Sequence, residues 1–339
     1  MKNYLIIDPT SCMPSLYFVL THGTDVVSYY HNSKKTTWPH GPYTKGEFNP
    51  MYGFTAKCLE TVSDREEISS ETWDVAFVIF PLCTAFPRNY QGARDYLVNL
   101  VRDIREKSTI KKLVFIDNSD EPLDSTNALS EFDLGLDVVL KREYNSQVEN
   151  YTDLFVPFPY VALGYKDPLW LLNEKKWFKP TEEKLDRVYY AGSSVRADDP
   201  INRNYHNRKK LLQDCAEILT TDKAVSGRQY ANDKYMDELA TSRFCMYPRG
   251  CAKLTRRLFE ILSVGSLALI QNNGIVMNFV GNGFAREVHF DLPSELRLKV
   301  TALRNDPSLY DYCMLEQDRV CEENYTYDAI RKYILRYVE

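Results

Sequence analysis

Five charged side chains crowd one short stretch of this sequence. Arg249, Lys253, Arg256, Arg257 and Glu260 fall between two apolar runs, Phe244 to Tyr247 and Leu267 to Ile270. Guanidinium and ammonium groups gathered beyond a strand, near the start of a helix, suit a bound anion, most simply a phosphate. A second group follows the apolar run Val188 to Ala191. There the turn Gly192-Ser193-Ser194 could offer backbone N–H groups to an anion, with Arg196 and Arg208 in support. Arg228 closes a further turn, Ser226-Gly227-Arg228. Carboxylates gather after the run Leu113 to Ile116, as Asp117, Asp120 and Glu121. A strand end is where a general base could stand, although Asp and Asn are also ordinary in turns after strands. Trp38, His40 and Tyr43 lie in residues 31–51, rich in turn formers, and could cover a bound molecule or cap an exposed edge.

Those groups need elements to hold them. Tyr235, Met236, Leu239 and Ala240 mark one side of a helix that leads into Phe244 to Tyr247. After a Pro-Arg-Gly break, a second amphipathic helix runs from about Leu254 to Val264 and precedes Leu267 to Ile270. Continuous apolar runs bounded by turn residues, with a helix between them, describe a parallel β-α-β unit. The same pattern predicts strands at Tyr4–Ile7, Val26–Tyr30, Val75–Phe80, Leu113–Ile116, Val138–Leu140, Val188–Ala191 and Ala224–Val225. Helices are expected to carry Tyr96, Leu97, Leu100, Val101 and Ile104 on one face, and Leu211, Leu212, Cys215, Ile218 and Leu219 on another. Leu154 to Tyr160 reads as a strand leaving the first domain. A last helix near Tyr327 to Val338 aligns Ile330, Tyr333, Ile334 and Tyr337.

The expectation is therefore α/β: two Rossmann-like domains with mostly parallel sheets facing across a cleft. Residues 1–160 form the first and 185–322 the second, joined by a connector at 161–184. Residues 323–339 are a helix expected to pack back on the first domain. A length of 339 residues exceeds one ordinary core and agrees with two domains. An apolar fraction of 44% and a charged fraction of 26% are those of a soluble globular chain. The net charge of −5 gives no general pull toward nucleic acid or anionic membrane. Eight scattered cysteines without a C-x-x-C pair point to reduced thiols in a cytoplasmic protein, and to no metal site. No window approaches the roughly 18 apolar residues of a membrane span. No G-x-G-x-x-G follows a predicted strand, which speaks against a dinucleotide enzyme.

The order of these marks in the C-terminal half resembles the donor-binding half of GT-B-fold glycosyltransferases. It looks most like the exostosin-like enzymes. The matching elements are VYYAGSSVR, a helix carrying Arg208, a strand ending in Ser-Gly-Arg, and ATSRFCMYPRG followed by RRLFEILSVGSLALI. The N-terminal half shares only the general architecture. The resemblance implies transfer of a sugar from a nucleotide-diphosphate donor, of UDP or GDP type, to a glycan or polysaccharide acceptor, by inversion and without metal or other cofactor. It assigns Glu260 to the ribose hydroxyls and Arg228 to the nucleotide base. Residues 1–160 become the acceptor side, with Trp38, His40 and Glu121 near the acceptor.

Physical chemistry asks for the same parts. A nucleotide-sugar donor leaves as a diphosphate, so negative charge grows on the β-phosphate, and fixed guanidinium groups stabilise it. Arg257 is the first choice for that contact, with Gly192, Ser193, Ser194, Arg196, Arg208 and Arg249 as further donor-side candidates. An inverting reaction needs a base from the other domain, and Asp117 fits best, ahead of Asp120 and Glu121. Other readings stay open. Arg257 and Glu260 could be an i,i+3 helix ion pair worth about 0.2–0.5 kcal/mol. The acceptor could be a DNA base, with Lys34, Lys35 and Lys45 beside the aromatic loop, or the chain could bind a ligand without catalysis.

Overall fold

Apolar runs with no polar alternation become interior parallel strands, because helices must cover both faces of such a sheet. The computed structural model describes residues 3–7, 19–20, 26–30, 60–62, 72–80, 98–99, 101–106, 108–117, 134–141, 154–158, 168–190, 210–220, 232–248, 256–272 and 283–338. The chain divides into two units, Met1–Trp170 with Tyr327–Glu339, and Leu171–Thr326.

The first unit holds strands β1 (Asn3–Ile7), β2 (Val26–Tyr30), β3 (Glu60–Val62), β4 (Thr72–Trp73), β5 (Val75–Phe80), β6 (Thr109–Ile110), β7 (Leu113–Asp117), β8 (Val138–Lys141) and β9 (Phe155–Pro157). Seven of them form one sheet in the order β3-β2-β1-β5-β7-β8-β9, with β4 and β6 paired separately. Every pairing is parallel. Alternation with period two sends Leu5, Ile7, Ala76, Val78, Leu113, Phe115 and Val139 to one core, which the helical residues Val101 and Ile104 cover. On the opposite face Tyr4 meets Phe77 edge to face at 5.7 Å. β9 stays in the sheet as its outer strand, where Pro157 interrupts no interior ladder.

The second unit contains β10 (Leu185–Tyr189), β11 (Leu219–Thr220), β12 (Ser242–Tyr247), β13 (Leu267–Gln271) and β14 (His289–Phe290). Their order is β11-β10-β12-β13-β14, again all parallel. The complete described helices are α1 (Pro168–Glu174), α2 (Asn232–Ala240), α3 (Arg256–Ser263), α4 (Pro293–Asn305), α5 (Pro307–Asn324) and α6 (Tyr327–Val338). α6 buries Ile330, Tyr333, Ile334 and Val338, and the Tyr333 hydroxyl donates to the Pro157 carbonyl within the first unit.

Two sequence expectations change. The helix expected to run through Leu219 stops near Asp214: Cys215 N–H bonds the Leu211 carbonyl, and the Cys215 carbonyl then takes both Ile218 and Leu219 N–H. Leu219 and Thr220 pair instead with β10, a sheet edge that local periodicity cannot reveal. The Ala224–Val225 strand lies outside the described residues. The connector also shrinks, since residues 171–184 belong to the second unit. Leu171 and Leu172 are buried, Lys179 N–H reaches the Val264 carbonyl at 3.3 Å, and Lys184 Nζ donates to Ala240 at 2.7 Å and Val264 at 2.9 Å. Lys184 thus closes the C-terminal ends of α2 and α3, where the last carbonyls lack helical partners.

His289 carries a pH dependence. Burial lowers its pKa below the ordinary value, Lys299 adds to that, Asp291 opposes it, and Nε2 has no hydrogen-bond partner among the described residues. A depressed folded pKa means stability is present above about pH 6.5, the unfolded value, and is lost as pH falls toward the folded one. Urea midpoints taken from pH 7.5 to 5 are expected to decline, and His289→Phe is expected to flatten part of that decline.

Candidate functional site

The chain enters the second sheet at β10, steps outward to β11, and then returns past β10 to build β12, β13 and β14 on its other side. Connections after β10 and β12 therefore leave in opposite directions. That makes the carboxyl ends of β10 and β12 a topological switch point, the place where open parallel sheets form a ligand-binding crevice. Tyr190 directly follows β10, and Tyr247 and Pro248 end β12 on the other side of the crevice.

Helix α3 carries charge into that place. Its first two residues are Arg256 and Arg257, and its first turn holds no acidic residue. A helix N-terminus already bears partial positive charge, so arginines there oppose the dipole unless an anion joins them. The Arg257 Cζ lies 4.6 Å from the centre of the Tyr190 ring, so the guanidinium sits over the residue that follows β10. Burial works against its charge, and Tyr190, Tyr235 and Glu260 outweigh that effect and raise its pKa. The buried Arg257 Nε has no hydrogen-bond partner among the described residues. A buried donor left unmatched costs about 1–3 kcal/mol, which a bound acceptor would relieve.

Glu260 follows one turn later on α3 and is 3% exposed. Its Oε2 accepts a hydrogen bond from the Tyr235 hydroxyl of α2 at 2.8 Å. Beneath both side chains the apolar face of α3 is firmly seated: Leu258, Phe259, Ile261 and Leu262 are buried, and Phe259 meets Tyr325 edge to face at 5.0 Å.

Gly265 ends this helix in the left-handed region, φ 72°. Its N–H bonds the Leu262 carbonyl at 3.1 Å, and Ser266 N–H bonds Ile261 at 3.4 Å, the paired bonds of a Schellman C-cap. Ser266 Oγ then lies 2.7 Å from the Ser242 carbonyl and 2.9 Å from that of Leu239, fixing α3 and β13 relative to β12. A Cβ at Gly265 would stand 2.5 Å from Phe178 Cε2. Gly265→Ala is expected to cost roughly 1–2 kcal/mol for the left-handed backbone alone, measured as a lowered urea midpoint, with the Phe178 contact adding to it.

Asp117 occupies the end of β7 as expected, but its carboxylate is not open. Asp117 and Lys141 are direct partners in the β7–β8 register. Lys141 Nζ stands 2.6 Å from Asp117 Oδ2, and neither side chain has exposed surface. A general base must reach the proton it removes. In this geometry Asp117 is the counter-ion of a buried lysine across two adjacent strand ends.

Of the donor-side candidates the structure brings Arg257 and Glu260 together. Gly192, Ser193, Ser194, Arg196, Arg208, Arg228 and Arg249 lie outside the described residues, as do Asp120, Glu121, Trp38 and His40. Sequence reasoning missed Tyr190 and Tyr235. The first lies inside the predicted strand Val188–Ala191 and passes for core; the second passes for part of an apolar helix face.

No family model and no curated sequence matches the chain. The exostosin-like resemblance accordingly rests on the order of its motifs alone. Among solved structures the chain is similar to a T4 phage β-glucosyltransferase over the full length of both chains, with 11% identity and a TM-score of 0.49. T4 phage BGT in complex with UDP and Mn2+ also covers both chains fully, with 10% identity and a TM-score of 0.45. An α,α-trehalose-phosphate synthase (UDP-forming) from Burkholderia xenovorans, in complex with glucose-6-phosphate, does so with 9% identity and a TM-score of 0.49. The assignment of two parallel α/β units is carried by the strand orders of the chain itself, not by likeness of this degree.

Proposed function

We propose that this chain is a glycosyltransferase whose nucleotide-diphosphate sugar donor binds at the crevice between β10 and β12. The observation that carries this reading is the acid-free, arginine-led first turn of α3, with Arg257 stacked over Tyr190 at the switch point. Nothing in helix energetics favours two arginines there, and a diphosphate does. As the bond from sugar to diphosphate breaks, charge accumulates on the leaving β-phosphate. A pre-positioned guanidinium and helix N-terminus stabilise that charge more than they stabilise the bound donor, which is what accelerates transfer. Glu260 accepts from the ribose hydroxyls, the place that the exostosin-like motif order gives it.

The acceptor in this reading is a glycan or polysaccharide hydroxyl attacking from the opposite side, with inversion. The base is sought at Asp120 and Glu121, since Asp117 is committed to Lys141. Arginines take the work that a metal does in other transferases, so transfer in excess EDTA is expected to match transfer without it, measured as nucleoside diphosphate released.

A thermal-shift series with UDP, GDP, ADP, CMP and dTDP tests the reading and separates a donor site from a generic anion site. One nucleoside diphosphate is expected to raise the melting temperature well above the shift given by equal phosphate. Equal shifts for all, or none, would end the assignment.

A further inference from the structure

We infer that Tyr190 and Tyr235 are positioning residues that act through Arg257 and Glu260, one governing recognition of the diphosphate and the other recognition of the ribose. The inference rests on the donor-site reading and deepens it. Arg257 and Glu260 stand one turn apart on α3, the spacing at which opposite charges attract one another along a helix face. In the structure a tyrosine from a separate element engages each. Tyr190, 3% exposed and directly following β10, lies under the Arg257 guanidinium at 4.6 Å. Tyr235, on α2, donates its hydroxyl to Glu260 Oε2 at 2.8 Å.

The two contacts have different chemical consequences. A guanidinium held over an aromatic ring has a fixed position and still presents N–H donors to an oxyanion, in the fork that suits phosphate. Tyr190 therefore fixes where that fork points, with its ring beneath the group and its hydroxyl adding to the contacts that favour the charged guanidinium. The Tyr235 hydroxyl occupies one carboxylate oxygen of Glu260 and fixes the plane of the group, which sets the direction from which a sugar hydroxyl can donate. A hydroxyl-recognising carboxylate held in one plane discriminates between a ligand with that hydroxyl and one without it.

The test uses the full chain, calorimetry, and UDP, uridine and 2′-deoxy-UDP as probes, or the corresponding set for whichever base the wild type prefers. Tyr235→Phe is expected to weaken the ribonucleoside diphosphate about tenfold and to leave the 2′-deoxy compound nearly unchanged, so the ratio between them narrows. In Glu260→Gln the added Tyr235→Phe change is expected to have no further effect on that ratio. Tyr190→Met is expected to weaken the diphosphate about tenfold with little change for uridine, while Tyr190→Phe, which keeps the ring and loses only the hydroxyl, retains most of the wild-type affinity. If Tyr190→Met does not fold, the Tyr235 arm decides by itself. Variants that keep both ratios, or a double variant whose effects simply add, overturn this inference and leave the donor site standing. A wild-type chain that binds no nucleoside diphosphate overturns both.

Discussion

Arg257→Ala is expected to lower sugar transfer by about a hundredfold to a thousandfold, the range seen when one pre-positioned donor to a developing oxyanion is removed. Calorimetric affinity for the nucleoside diphosphate is expected to fall with it, because a guanidinium matched to phosphate makes charge-assisted bonds of fixed geometry. The apo protein is expected to change little, within about 1 kcal/mol. Loss of the stack on Tyr190 destabilises, and relief of positive charge at a helix N-terminus stabilises. That contrast is the useful part of the measurement. A residue kept for folding lowers the melting temperature when removed, whereas a residue kept for an anion lowers binding and spares the fold. Arg257→Lys should recover only part of the loss, since an ammonium keeps the charge and gives up the planar fork. Wild-type affinity in Arg257→Ala would remove the donor-site assignment.

The second large effect is on stability. Asp117→Ala leaves the Lys141 ammonium buried without its carboxylate, and breaking a buried pair in this way costs about 3–5 kcal/mol. A marked fall in the urea midpoint is expected, read by a probe in the first unit. Replacing both groups, as in Asp117→Leu with Lys141→Met, is expected to restore most of that loss, because well-packed apolar side chains often match or exceed a buried ion pair. The same variants address chemistry. If Asp117→Asn holds the fold and the donor affinity yet stops transfer, the carboxylate is a base after all, and the structural role assigned to it is wrong.

Much of the framework is legible in the order of the residues. β1, β5, β7 and β13 stand out because strands buried on both faces must be apolar throughout, a demand written in consecutive residues. α6 runs from Tyr327 to Val338 as its helical periodicity predicts, since the spacing of Ile330, Tyr333 and Ile334 is a local property. α4 and α5 pass unnoticed because charged residues, Cys313 and Gln317 dilute their apolar stripes. Pro293 and Pro307 at their first turns, with the Asp306 carboxylate capping Leu309 N–H at 3.1 Å, are the signals that could have found them.

By itself the sequence determined that this is an α/β chain with a basic, phosphate-suited helix start at Arg257, because strand burial and helix capping are settled by neighbours within a few positions. Only the tertiary structure decided which strands lie side by side. The order β11-β10-β12 is what turns the start of α3 into the edge of a crevice, and it brings Tyr190 beneath Arg257 across 67 positions of sequence, 257 minus 190. The β7–β8 register likewise converts Asp117 from a free strand-end carboxylate into the partner of Lys141. The physical reason is the same in each case. Pairing between distant segments is chosen by the packing of the whole unit, and no local pattern of residues encodes it.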